Sequence, residues 1–408
     1  MQNTNVEEAQ SFLLERARPI TRVEQVETSH GLGRVLARDI SSPIHVPGHD
    51  NSAMDGYAIR SRDVTSREET RLTIARRIAA GEGAVALESD LTDGEAARIF
   101  TGAPLPGGAD AVVMQENCRV DGDSVYITGP IPPGMNVRYR GNDIQAGDPI
   151  LAAGTRLRPQ TLGMAAAMGL SVLPVFRRLR VALFSSGNEV VQPGAPLRIG
   201  QCYDANRYTL LGLLTDLGCE ISDLGTIPDD FSATRETLRQ AACQSDVIIS
   251  SGGVSVGEED HIKRAVESIG QLGLWRIAVK PGKPLAYGRI LDADFIGLPG
   301  NPVSVLVTFC LFARPMLLVR QGAFPSFPIP RFAIADFTWS RPGNRREYAR
   351  ARLTPNGDRE PRVVLFDRQG SDVLSSTVWA DGLVEIPANT VIASGDRVAY
   401  LSFAELLA

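Results

Sequence analysis

The spacing of apolar positions changes along the chain, and each change marks a different kind of element. Over residues 4–18, Val6, Ala9, Leu13 and Ala17 recur on one helical face behind a Thr4-x-x-Glu7 capping signal, and Pro19 stops the run. Between residues 44 and 146 the pattern becomes short β-type runs punctuated by Gly and Pro, at 56–60, 72–78, 96–101, 111–115 and 124–127. Helical character returns at 159–169. Packing of that helix with the opening one would make the β-rich piece an insertion into a split helical element formed by 1–43 and 147–175.

From 176 to 323 strand and helix patterns alternate, which predicts a parallel sheet with helices on both faces. The strand candidates are 180–184, 220–224, 247–250, 275–279 and 295–298, and the helix candidates are 208–217, 233–243, 261–269 and 302–320. Asn301 is the expected N-cap of the last helix, and Pro302 its first residue, where a missing N–H costs nothing. The proline-rich stretch 324–330 reads as a stiff linker. Beyond it, within 324–408, runs at 332–338, 348–353, 363–366, 383–386 and 397–402 predict a small β-barrel or sandwich. The expected fold class is therefore multidomain α/β: a central parallel-sheet domain, an inserted β-rich domain, a split helical element and a C-terminal β domain.

Composition narrows the function classes. A chain of 408 residues exceeds one ordinary core. Apolar residues make up 43% and charged residues 22%, and the sequence shows no run of the roughly 18 uninterrupted apolar residues that a membrane span needs. The net charge of −5, from 47 acids and 42 bases, argues against nucleic acid as a partner. The N-terminus has no basic segment leading into an apolar one, and the five cysteines form no C-x-x-C pair, so a reducing cytoplasmic setting is expected. His45 and His49 stand four apart, but Pro47 and Gly48 between them deny the helix a shared metal would need.

Candidate chemistry gathers where the predicted strands end. The buried run Val247-Ile248-Ile249 stops in Ser250-Ser251-Gly252-Gly253, which frees backbone N–H groups to meet an anion, and Glu258, Glu259 and Asp260 follow closely. Lys280-Pro-Gly-Lys283 adds two ammonium groups, and Gly297-Leu-Pro299-Gly300-Asn301 adds a second glycine-bounded helix start. Ser185-Ser186-Gly187 and Asp229-Asp230 fall at the same sheet edge, where ligands of such folds sit. Carboxylates there gain a role if Mg²⁺ bridges them to phosphate oxygens. Gly253-x-Ser255-x-Gly257 also satisfies the nucleophile pattern of serine hydrolases. Only His261 follows Ser255, six residues on at a helix start, so no late base is available to activate it.

The stretches Asp50-Asn-Ser-Ala-Met-Asp55-Gly-Tyr-Ala, Thr101-Gly-Ala-Pro-Leu-Pro-Gly-Gly-Ala-Asp-Ala-Val-Val-Met-Gln-Glu116, Ser250-Ser-Gly-Gly-Val-Ser255-Val-Gly, Lys280-Pro-Gly-Lys-Pro and Gly297-Leu-Pro-Gly-Asn-Pro-Val-Ser304, in this order, resemble the molybdopterin molybdenumtransferase family of MoeA and the gephyrin E domain. The resemblance spans the chain. It implies a transferase that inserts molybdate into adenylylated molybdopterin, releasing molybdenum cofactor and AMP with Mg²⁺ as cofactor. It implies catalytic roles for Asp55, Asp143, Glu189, Asp260 and Lys280, with Glu189 and Asp260 toward the metal. Substrate contacts are implied for Thr101, Asp229, Ser250, Gly252, Gly253, Ser255, Arg276, Lys283, Pro299, Asn301, Arg350 and Ser371. Asp55, Thr101, Asp143, Arg350 and Ser371 would face a partner subunit's pocket across a homodimer, and the molybdopterin adenylyltransferase and apo-molybdoenzymes would be partner proteins. Asn188, Ala205 and Arg276 depart from the family pattern. The alternatives are a molybdopterin adenylyltransferase, whose fold the sheet domain also resembles, and a non-catalytic scaffold.

Overall fold

The computed structural model describes residues 4–254, 261–357 and 359–407, so Ser255 and Asp260 lie outside the described residues. A six-stranded sheet organises the middle of the chain, in the order Glu220–Ile227, Arg180–Ser186, Val247–Ser251, Ala293–Leu298, Pro284–Ile290 and Gly270–Arg276. Its first four strands are parallel and its last two antiparallel. The expected strand at 275–279 is replaced by this antiparallel pair: Gly270, Gly273 and Gly288 dilute the apolar pattern, and the turn before Ala293–Leu298 is carried by Leu291 at φ +53 rather than by an Asn-Gly signal.

Helices cover both faces, as expected. Ala205–Asp216 and the long helical stretch 302–320 enclose one apolar cluster with Val181, Leu183, Val247, Ile249 and Ile296. Phe231–Gln244 and His261–Ile269 enclose the other with Ala182, Phe184, Ile248 and Phe295. The stretch 302–320 widens into a π-helical turn at Phe309–Ala313, directly before Pro315, whose missing N–H and bulky ring a regular helix could not accommodate. An 18-residue window of it has a mean hydropathy of 1.9, which would suit a membrane span by length and composition, but 83% of that window is buried inside the protein, so it serves as a core helix.

The opening helix, Val6–Arg16, is capped one residue later than expected, by an Asn5–Glu8 capping box, which leaves Glu7 free to pair with Arg346. Its buried Val6, Ala9 and Leu13 join the core of the central sheet rather than Pro159–Ala167. The split element is held by strands: Val23–Glu27 pairs with Val172–Phe176 and Ile40–Ser41 with Pro149–Leu151, over a core that includes Leu36, Leu157, Ala165 and Leu173. Between these pairs the β-rich region forms its own mixed six-stranded sheet with apolar residues on both faces.

The C-terminal β domain is a closed barrel. Arg346–Thr354 pairs with both Arg362–Leu365 and Gly382–Ile386, and Arg331–Ala335 and Arg397–Ser402 complete the ring around Ala349, Val363, Val384 and Tyr400. The short strand Val279–Lys280 of the central region adds to Arg346–Thr354 in parallel, which fixes the barrel beside the sheet's functional edge.

Candidate functional site

Strand order places Arg180–Ser186 between Glu220–Ile227 and Val247–Ser251, so the chain's crossovers run to opposite sides of its first parallel strand. That divergence opens a crevice at the C-terminal strand ends. A cleft of about 920 Å³ lies there, between the sheet edge and the barrel.

Two glycines shape its floor. Gly252, at φ +84, passes so close to the neighbouring strand that a Cβ would sit 2.6 Å from the Ser186 carbonyl oxygen, and Gly253, at φ +64, would push a Cβ to 2.4 Å from Ile262 Cδ1. Only glycine fits either position. Alternation along the strand ends then sorts the serines. Ser185 and Ser251 are register partners and line the cleft, while Ser250 is fully buried on the opposite face with an unpartnered hydroxyl and does not line it.

Asp229 faces the cleft with both oxygens engaged: Oδ1 accepts from Ser186 Oγ at 2.7 Å and Oδ2 from the Asn188 N–H at 3.2 Å. Its neighbour Asp230 is a helix cap, accepting from the Ala233 N–H at 2.7 Å. Asp204 is also structural: it caps Ala205–Asp216 through the Arg207 N–H and pairs with the Arg207 guanidinium at 3.2 Å. Asn206 donates to Ser251 Oγ at 2.9 Å and to the Gly300 carbonyl at 2.7 Å, tying the helix start to the second glycine turn.

The cationic wall consists of Lys280, Lys283 and Arg345. The turn carrying both lysines docks on the helix starting at Pro302 through Gly282, at φ +111, where a Cβ would lie 2.4 Å from Thr308 Cγ2. Asn301 precedes that helix as expected, yet its side chain makes no capping bond. It donates instead to Ser371 Oγ at 3.0 Å, and the Val303 N–H donates to the Ser371 carbonyl at 3.1 Å.

Ser371 therefore lines the cleft of its own chain, against the expectation that it serves a partner's. Arg350 is not a cleft residue at all. Only 1% exposed, it donates from Nη2 to the Gly370 carbonyl and from Nε to Ser376 Oγ, both at 2.9 Å, and so supports the loop bearing Ser371 from beneath. Burial holds its guanidinium down to about 10, with Asp372 opposing. Arg276 pairs with Pro284 on the antiparallel edge, outside the cleft lining.

The β-rich region carries a separate constellation. Asp55 Oδ1 accepts from both the backbone N–H and the hydroxyl of Thr101, each at 2.8 Å, and these bonds hold its carboxyl below the usual range. Asp55, Thr101 and Asp143 are all exposed and none lines the cleft.

Among the described residues no group of three His, Cys, Asp or Glu side chains forms a metal cage. Such a cleft suits a cation that brings phosphate and water ligands and needs only one or two carboxylates, as Mg²⁺ does. Glu189 fits that part. It is exposed on the cleft wall, lies against the Gly187 backbone, and makes no side-chain bond to another described residue. Ser185, Ser186 and Ser251, expected at this edge from the sequence, line the cleft, while Asn206 and Arg345 carry no local signal that marks them and join it only through the fold.

Residues 4–169 match the family described as the MoeA N-terminal region (domain I and II), residues 182–319 the probable molybdopterin binding domain, and residues 333–403 the MoeA C-terminal region (domain IV). The chain is 37% identical over 405 residues to a molybdopterin molybdenumtransferase of Haemophilus influenzae, covering 98% of this chain and 99% of that one. It is 35% identical over 396 residues to molybdopterin molybdenumtransferase 2 of Mycobacterium tuberculosis, covering 95% of each. The crystal structure of the molybdopterin biosynthesis MoeA protein from Pyrococcus horikoshii superposes with a TM-score of 0.83 at 30% identity, covering 98% of this chain and 100% of that one.

Proposed function

The chain belongs to the molybdopterin molybdenumtransferase family, transferases of molybdenum cofactor biosynthesis, and from that premise we propose that its cleft inserts molybdate into adenylylated molybdopterin and releases AMP. The observation that carries the reading is the pairing, in one cleft, of a glycine-lined anion floor with a wall of Lys280, Lys283 and Arg345. The Gly252 N–H is engaged by the Leu298 carbonyl, so the Gly253 N–H of the same turn receives phosphate oxygens, and the lysines receive the oxyanion.

Insertion requires molybdate to lose oxo groups as water while dithiolene sulfurs take their place, so the protein's work is positioning and charge stabilisation. Lys280 and Lys283 hold the dianion, and Asn301 and Ser371 complete its surroundings with amide and hydroxyl groups. Asp229, immobilised by Ser186 and Asn188, orients donor groups of the pterin. Glu189, exposed on the cleft wall, would hold a Mg²⁺ ion, which when bound would supply charge neutralisation at the phosphoanhydride.

In this reading Asp55, held by Thr101, and Asp143, elsewhere in the same β-rich region, complete the cleft of a second copy in a two-fold dimer, since their own chain holds them outside its cleft. Incubating the purified protein with adenylylated molybdopterin, Mg²⁺ and molybdate tests the reaction. AMP release that depends on molybdate is expected; its absence would reject the assignment. Net synthesis of adenylylated molybdopterin from ATP and molybdopterin would favour the adenylyltransferase instead.

A further inference from the structure

The ammonium that the cleft presents to an oxyanion is already paired. Lys280 Nζ lies 2.9 Å from Glu347 Oε2, and the two side chains differ sharply in freedom: that of Lys280 is 49% exposed, that of Glu347 only 9%. Backbone pairing explains the asymmetry. Glu347 is held on one side by Lys280 in parallel register and on the other by Ile386 in antiparallel register, so its carboxylate is fixed in the barrel wall. Lys280 has a long stem, an exposed head and room in the cleft.

We propose that Glu347 is an internal counter-anion that sets the oxyanion affinity of the cleft by competing for Lys280. The proposal rests on the reading that this cleft takes molybdate. An incoming dianion must share or displace the Glu347 contact, and it approaches a fixed negative charge as it does so. Both effects weaken binding, and an unopposed cluster of Lys280, Lys283 and Arg345 would hold the anion more tightly. Glu347 is a positioning residue here, acting through Lys280 rather than on the reacting atoms. The barrel thereby tunes the anion site beside which it is docked.

The test is calorimetric titration with molybdate alone on wild-type protein, Glu347→Gln and Lys280→Ala. Removing the carboxylate charge while keeping its shape should tighten molybdate on the order of tenfold, the scale of one charge acting over several ångströms at high dielectric. Lys280→Ala should bind more weakly than wild type. Half-saturating molybdate in AMP release should fall in Glu347→Gln without a rise in maximal rate. A structural lesion does not improve affinity, so tightening separates the two causes. Should Glu347→Gln not fold, Glu347→Asp withdraws the carboxylate by one methylene, and a smaller tightening is expected. Unchanged or weaker binding in the variant, with wild-type binding intact, overturns the proposal and leaves the functional reading standing. No molybdate binding by the wild-type protein overturns both. Tightened binding without any AMP release supports the proposal and removes the reading.

Discussion

The cleft edge of the central sheet and the Asp55–Thr101 constellation of the β-rich region are both built from short polar loops, yet they are finished differently. At the cleft, glycines with no room for a side chain, two lysines, Arg345 and the Ser371 loop from the barrel converge within one chain. In the β-rich region Asp55 is fixed by both hydrogen-bonding groups of Thr101 and is exposed, outside the lining of its own chain's cleft. A carboxylate pre-oriented on an exposed surface differs from one set in a cleft: the first is poised outside the lining that holds the cationic wall, and its proposed role in completing a second copy's cleft rests on that difference.

Four substitutions press on that contrast. Lys280→Ala should reduce molybdate-dependent AMP release by roughly 10²-fold or more, the loss typical of removing one preorganised group that stabilises charge. Unaltered dependence on molybdate would detach the cationic wall from the reaction. Gly282→Ala should disrupt the same wall through the backbone. Its φ of +111 and the 2.4 Å approach to Thr308 Cγ2 predict about 1–3 kcal/mol of strain plus displacement of both lysines, visible as a lowered Tm together with lost activity.

Asp246→Asn tests the far end of the same sheet, remote from the cleft. Burial alone would raise the Asp246 carboxyl, but bonds from Arg177 and Arg180 outweigh it and hold the group well below the usual range. A depressed carboxylate stabilises the fold above the unfolded value, near 4, and that stability is lost as pH falls through the folded value. The variant should lose about 1–2 kcal/mol near neutral pH, show a shallower acid limb in thermal melts, and keep its turnover below the melting point. A turnover defect without destabilisation would tie this edge to catalysis. Thr101→Val should have the smallest effect. Removing one of two donors to Asp55 should move its carboxyl upward toward the ordinary range, measurable by NMR titration, with Tm unchanged. An unmoved titration would show that the hydroxyl contributes nothing to holding Asp55 ionised.

Much of this contrast was legible in the sequence, and what was not has physical causes. The glycine turns, the lysine pair and the four parallel strands announce themselves because backbone approach demands Gly and buried strands demand apolar runs. Asp229 and Asp230 are adjacent acids that sequence does not tell apart, and capping geometry makes a structural residue of Asp230 while leaving Asp229 in the cleft. Arg350 is implied as a substrate contact by the family resemblance alone, and the sequence carries nothing that would place it elsewhere. Its burial beneath Gly370 depends on barrel closure, a long-range pairing that no local pattern encodes. The resemblance likewise implies that Ser371 faces a partner's pocket, whereas the strand Val279–Lys280 joining the barrel brings it to the cleft of its own chain. The opening helix was recognised but misplaced, because its apolar stripe fits either neighbouring core.

Mixing separately purified Asp55→Ala and Lys280→Ala proteins under verified subunit exchange tests most directly the claim that one copy's β-rich region completes another's cleft. The account predicts that neither variant alone releases AMP at an appreciable rate and that the mixture regains it, because a mixed dimer holds one intact site and one doubly damaged site. A mixture that stays as inactive as its components, with exchange confirmed, would contradict the account and return Asp55 to its own chain or to no site.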